Sequence, residues 1–166
     1  MTRQMLTLVY VERFGAVDRI VSLLRRRGFP IAGIALERTH EPGIGRMSVA
    51  VSGDAALEQV ARHLERLPDV RGVTVAGREE CVEREFALLR VRCTPEHEAE
   101  VTSILAAFDA RPLSTSADSL VVEVSGSCDD LDALFARLEP YGIEESARTN
   151  PMALGCHASE RAQHTA

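Results

Sequence analysis

The sequence has few aromatic residues and an excess of negative charge. Of its 166 residues, 4% are aromatic, none is tryptophan, and the formal net charge is -6. RNA-recognition modules display aromatic side chains on their central strands, and a broad nucleic-acid-binding face needs concentrated positive charge. We therefore expect no nucleic-acid partner.

Long hydrophobic runs are also absent. No apolar stretch approaches the roughly 20 residues that a transmembrane helix requires. The first apolar stretch meets Glu12 and Arg13 too early for a signal peptide. The sequence therefore predicts a cytoplasmic protein with no membrane partner.

Motifs that carry metal, disulfide or catalytic chemistry are missing. The cysteines form no C-x-x-C pair, which argues against a zinc site or a disulfide framework; they are Cys81, Cys93, Cys128 and Cys156. The chain has no P-loop, G-x-G-x-x-G, H-E-x-x-H or nucleophile elbow. The histidines fall in a predicted turn, on helix surfaces or in the tail. We expect no catalytic residue, no metal site and no cofactor in this chain.

What the sequence does contain is an internal repeat. Apolar residues at i, i+3, i+4 and i+7 mark amphipathic helices beginning near Val17, Leu57, Val101 and Leu131. Runs of β-branched residues with a period of two lie between them and predict strands. The order is βαββαβ, and it occurs twice. The expected strands are 4–11, 31–39, 46–52, 70–77, 85–93, 111–116, 119–125 and 142–148; the expected helices are 15–27, from Gly53-Asp54 to near Leu67, 96–108 and 129–138.

The repeat predicts an α+β protein with two ferredoxin-like units. A βαββαβ unit forms a four-stranded antiparallel sheet with both helices on one face. We expect a first domain at 1–78, a second at 79–157 and a disordered tail at 158–166. Such small units have small cores, and "LVVEV" at 120–124 is apolar on both faces. We therefore expect a second copy of the chain to cover the open faces or edges.

The turn at Gly15-Ala16 is the strongest candidate for a ligand site. A strand enters a helix there, so the first helical N–H groups lack partners and can hold a carboxylate. Glycine also lets a ligand approach the backbone. An equally good interpretation from the residues alone is that Gly15 only makes the turn. For the run Arg25-Arg26-Arg27 we favour a helix C-terminus stabilised by cations over a polyanion site.

Six collinear segments resemble one protein family, the small regulatory subunit of acetohydroxyacid synthase, also called acetolactate synthase. Members of this family have an N-terminal ACT domain and a related C-terminal domain. The segments cover nearly the whole chain, and they are "GAVDRIVSLLRRRGF" at 15–29, "RMSVAVSGD" at 46–54, "LEQVARHLERLPDV" at 57–70, "VEREFALLRV" at 82–91, "DSLVVEVSG" at 118–126 and "PYGIEESART" at 140–149.

The resemblance implies a non-catalytic subunit that forms a homodimer and binds and activates the large catalytic subunit. It also implies feedback by a branched-chain amino acid, typically valine. Thiamine diphosphate, magnesium and FAD would then belong to the catalytic partner. Because the N-terminal segments match best, we expect activation to depend mainly on the N-terminal half.

The resemblance further implies where the effector binds. Matching effector-site positions are Gly15, Ala16, Val17 and Ile31. Two asparagines of the family that help to hold the amino acid are replaced by Glu12 and Pro30. Because these substitutions remove side-chain contacts, we expect the valine response to be weak or absent. The usual Arg-Thr-Gly and Leu-x-Arg-Gly near the C-terminus are also altered, to "RTN" and "LGCH".

Two other functions are open to this sequence. The chain could be a free-standing ACT-type amino-acid sensor that acts on another partner. It could also be a small enzyme on the ferredoxin-like fold. The second alternative is disfavoured because the strand-helix turns lack a set of arginine and asparagine residues that grips an anion.

Overall fold

The structure is a computed structural model, and it describes residues 3–26, 28–52, 57–77 and 80–155. The chain folds as two compact units. The first contains the described residues up to Glu83 together with 151–155, and the second is Arg84–Asn150. The expected boundary lay after residue 78, with the second domain running to 157. The expected disordered tail, 158–166, lies outside the described residues.

The first unit has the predicted βαββαβ order. Its elements are β1 (Arg3–Val11), α1 (Ala16–Arg26), β2 (Ile31–Arg38), β3 (Ile44–Ser52), α2 (Leu57–Leu64) and β4 (Val70–Ala76). The strands form a sheet in the order β2-β3-β1-β4, and the pairs β1·β3, β1·β4 and β2·β3 are antiparallel. This arrangement confirms the predicted ferredoxin-like fold.

The stripe of apolar residues along one face of each helix forms the core of the first unit together with the sheet. Ile20 and Leu24 of α1 and Leu64 of α2 are at most 1% exposed and pack on the sheet residues Leu8 and Met47. Glycine closes α1, because Gly28 has a φ of +68°, the left-handed conformation expected after a helix C-terminus. Val17 and Val21 lie at the edge of the stripe and are only half-buried.

The second unit repeats the pattern. Its elements are β5 (Cys81–Arg92), α3 (Glu98–Ala107), β6 (Arg111–Thr115), β7 (Ser119–Gly126), α4 (Cys128–Leu138) and β8 (Ile143–Arg148). The strand order is β6-β7-β5-β8, and β5 begins at residue 81 rather than at the expected 85. Ser127 and Asp130 form a capping box at the start of α4. No helix in the described ranges is long and apolar enough to cross a bilayer.

Arg148 at the end of β8 joins three elements of the second unit. Its guanidinium donates to the carboxylate of Glu85, which is 3% exposed, and to Asp132 Oδ1 at 2.5 Å. Nη2 donates to the carbonyl of Cys128 at 3.1 Å. Because one side chain serves β5, β8 and α4, the buried charge of Glu85 has a fixed partner.

A strand that the sequence pattern did not predict, β9 (Met152–Gly155), pairs with β5. Its Ala153 is 3% exposed and packs with Met5, Ala50 and Cys81. This packing is the reason that 151–155 group with the first unit. A strand of four residues is too short to show a clear alternation, so the sequence pattern predicts an irregular segment there.

We predict that Leu134→Ala lowers the free energy of unfolding by about 2 to 5 kcal/mol, because it leaves a cavity at a side chain with no exposed area. The matched control is Leu113→Ala in the same unit, where the leucine is 45% exposed. Urea unfolding followed by circular dichroism measures both. Equal decreases in the two variants would contradict the core assignment.

Candidate functional site

The turn between β1 and α1, residues 12–15, is held by main-chain hydrogen bonds. Arg13 donates its N–H to the carbonyl of Val11 at 2.8 Å, and Ala16 donates to the carbonyl of Arg13 at 3.0 Å. Gly15 has a φ of +78°, a conformation that other residues adopt only with strain. The turn therefore requires glycine at this position.

A partly buried ion pair fastens this turn to the loop before β4. Arg19 Nε donates to Asp69 Oδ2 at 2.8 Å, and its Nη2 lies 2.7 Å from the same oxygen. The carboxylate side chain is 4% exposed, whereas the arginine side chain is 44% exposed. The carbonyl of Asp69 accepts the N–H of Val11 at 2.8 Å. One residue thus fixes both the end of β1 and the first turns of α1.

Gly15 has a second reason to lack a side chain. A Cβ at this position would lie 2.9 Å from Arg19 Nη1, which is closer than carbon and nitrogen approach without displacement. Arg19 Nη2 also reaches the carbonyl of Phe14 at 3.4 Å. The guanidinium therefore lies against the turn, and a larger residue would require it to shift.

The first turn of α1 offers hydrogen-bond donors to solvent. Gly15 has no side chain to cap the helix, and no hydrogen bond among the described residues uses the N–H of Val17 or Asp18. These residues line an open depression of about 500 Å³ together with Arg13, Gly15 and Val21. The depression combines one cation, one anion, two free N–H groups and an apolar wall of two valines.

That set of groups suits a small zwitterion. A carboxylate is favoured near Arg13 and the helix N-terminus, where the charge and the peptide dipoles are positive. An ammonium group is favoured near Asp18. A short aliphatic side chain can lie on the half-buried surfaces of Val17 and Val21.

The structure separates the expected effector-site residues. Gly15 and Val17 line the depression. Ala16 is buried in the core below it, with 1% of its surface exposed. Ile31 is half-buried against the core cluster of the first unit and does not line the depression.

The two residues at the substituted asparagine positions lie outside the depression lining. Glu12 and Pro30 are both exposed. Glu12 donates its N–H to the carbonyl of Gly43 at 2.8 Å. Burial raises the pKa of Tyr10, and the nearby carboxylate of Glu12 raises it further. Glu12 therefore lies beside the end of β1.

Sequence reasoning missed other members of the site. Arg13 and Asp18 flank the glycine turn, so their charges could have been found by considering its immediate neighbours. The pairing of Arg19 with Asp69 could not have been found in this way, because the two residues are 50 positions apart and no local pattern connects them.

Comparison with known proteins finds a matching family model for each of the two units. A family model described as "AHAS small subunit-like ACT domain" matches residues 6–72, and one described as "Small subunit of acetolactate synthase" matches 84–157. The chain is 34% identical over 162 residues to the acetolactate synthase small subunit of Bacillus subtilis (strain 168), which covers 96% of this chain and 94% of that protein. This chain belongs to the acetolactate synthase small-subunit family. The resemblance predicted from the six segments is confirmed.

Other members of the small-subunit family match over similar lengths. The acetolactate synthase small subunit of Aquifex aeolicus (strain VF5) is 36% identical over 155 residues, covering 92% of this chain and 80% of that protein. The crystal structure of the acetolactate synthase small subunit from Thermotoga maritima superposes with a TM-score of 0.87 at 27% identity, covering 95% of this chain and 99% of that chain. The fold with two units is therefore that of a solved member of the family.

We predict that Gly15→Ala destabilises the protein more than Gly28→Ala does. Both glycines have positive φ, +78° and +68°, so backbone strain costs both variants about 1 kcal/mol. Only at Gly15 does the new Cβ meet Arg19, whose guanidinium must shift beside the buried Asp69, which adds at most about 1 kcal/mol once the exposure of the arginine is considered. Urea unfolding measures the difference. Equal destabilisation would show that the interaction with Arg19 contributes nothing.

Proposed function

We propose that this protein is the regulatory small subunit of acetolactate synthase, and that it forms a homodimer that binds and activates the large catalytic subunit. The observation that supports this most is the match of both units, in order, to the small-subunit family. The ACT domain supports a regulatory role. We assign no catalytic step to this chain, and we place thiamine diphosphate, magnesium and FAD on the catalytic partner.

We further propose that the depression at the start of α1 is the effector site. Its cation, its free N–H groups and its aliphatic wall fit the carboxylate and side chain of a branched-chain amino acid. Glu12 and Pro30 supply neither side-chain amide that the family provides. Removing one polar interaction from a binding site costs about 1 to 3 kcal/mol, so the absence of both amides weakens binding by roughly a hundredfold or more.

We predict that this protein raises the activity of its cognate large subunit. The measurement is acetolactate formation by that subunit with and without the full chain. Light scattering of the same sample at micromolar concentration should give twice the monomer mass. If the chain binds an amino acid but leaves the large subunit unchanged, the free-standing amino-acid sensor becomes the better description.

We predict that valine binds weakly or not at all, and that Glu12→Asn combined with Pro30→Asn strengthens binding by roughly a hundredfold. Titration calorimetry with valine, leucine and isoleucine measures this. A matched control is Glu65→Asn combined with Pro68→Asn, because these residues are exposed in the same unit, as Glu12 and Pro30 are, and neither stands at an asparagine position of the family. Tight valine binding by the unmodified protein would contradict the prediction, as would an equal increase in the control.

A further inference from the structure

Part of the open face of the first unit's sheet, opposite α1 and α2, is covered by a distant part of the same chain. Met5 and Ala50 face each other across β1 and β3 and are 1% and 2% exposed. Ala153 of β9 and Cys81 of β5 complete the cluster that buries them. Residues 151–155 therefore form a strap over this face.

The strap makes little apolar contact of its own. Within it, Pro151 and Ala153 are buried, whereas Met152 is 46% and Leu154 is 63% exposed. Proline and alanine remove less apolar surface from water than the two outward side chains would. Polar contacts to the strap therefore contribute a large share of its attachment.

One side chain of the sheet supplies such a contact. Arg46 on β3 donates through Nη2 to the carbonyl of Ala153. Its Nε lies 3.3 Å from Glu37 Oε2 on β2, and Glu37 Oε1 accepts a hydrogen bond from Ser48 Oγ at 2.8 Å. The side chains of Arg46 and Glu37 are only 23% and 12% exposed, so the guanidinium is held between the sheet and the strap.

We propose that residues 151–155 are a releasable strap on the first unit and that Arg46 is its latch. Charge-assisted hydrogen bonds are stronger than neutral ones, and short segments with few buried side chains open locally without global unfolding. Opening uncovers the apolar pair Met5 and Ala50. It also uncovers the thiol of Cys81, which is 8% exposed when the strap is closed.

The thiol provides a direct measurement of strap opening. The native full-length chain is treated with N-ethylmaleimide, and labelled cysteines are located by peptide mass spectrometry. Arg46→Met should raise the labelling rate of Cys81 at least about tenfold, because the latch bond is removed. The rates of Cys93 and Cys128 in the second unit should not change. The matched control is Arg71→Met, which removes an exposed arginine that pairs with Glu41 in the same unit.

A second variant approaches the latch from the strap. Ala153→Asp places a charge at a position that is 3% exposed and changes neither Arg46 nor Glu37. It should also raise labelling of Cys81 but not of Cys93 or Cys128, and it decides the outcome if Arg46→Met does not fold. An unchanged rate at Cys81 in the folded variants would overturn the proposal. A parallel rise at Cys81, Cys93 and Cys128 would overturn it too, because the strap would then open only with global unfolding. The large subunit is not needed, so this result is independent of the proposed function.

Discussion

A sheet with both helices on one face has a second face that must be covered or made polar, and this constraint organises both units. In the first unit the open face carries Met5 and Ala50, which are almost completely buried. Alanine and methionine side chains are less stable in water than in an apolar environment, so the face needs a cover. The cover comes from Ala153 and Cys81, residues of the same chain. The C-terminal segment therefore belongs physically to the N-terminal unit, although the sequence order suggests otherwise.

In the second unit, charged side chains make the open face of the sheet polar. Its central strand alternates buried Leu89 and Val91 with exposed arginines at 90 and 92. These arginines lie 3.7 Å from the carboxylate of Glu145 and 3.6 Å from that of Glu144 on the neighbouring strand. Exposed ion pairs contribute little to stability, but they keep the face solvated. The expectation that a second copy lies over the open faces or edges stays a prediction. Within the chain itself, Ala153 and Cys81 bury Met5 and Ala50 on one open face, and the other open face carries ion pairs.

Periodicity predicted most of the fold because helices and strands repeat their burial over several residues. The stripe that contains Ile20 and Leu24 lies where the pattern places it, and so does the second βαββαβ unit. Features that depend on a single buried residue were not predictable. Ala153 has no repeating pattern around it, and the pairing of Arg19 with Asp69 joins residues 50 positions apart. Such contacts are set by tertiary packing, which local sequence does not encode.

In the candidate site, too, some residues were predictable from local sequence and others were not. Gly15 was identifiable because glycine is the residue that a strand-to-helix turn of this kind favours, and its positive φ and the close approach of Arg19 both disfavour a side chain. The charged residues beside it were harder to interpret, because arginine and aspartate are frequent on protein surfaces. Arg13 and Asp18 differ from the others only in that they line the same depression. The buried carboxylate of Asp69 then explains what holds the turn: removing Arg19 would leave that charge without its partner. A preorganised turn gives up less entropy when a ligand binds, so the backbone of the site can persist while its side-chain specificity changes.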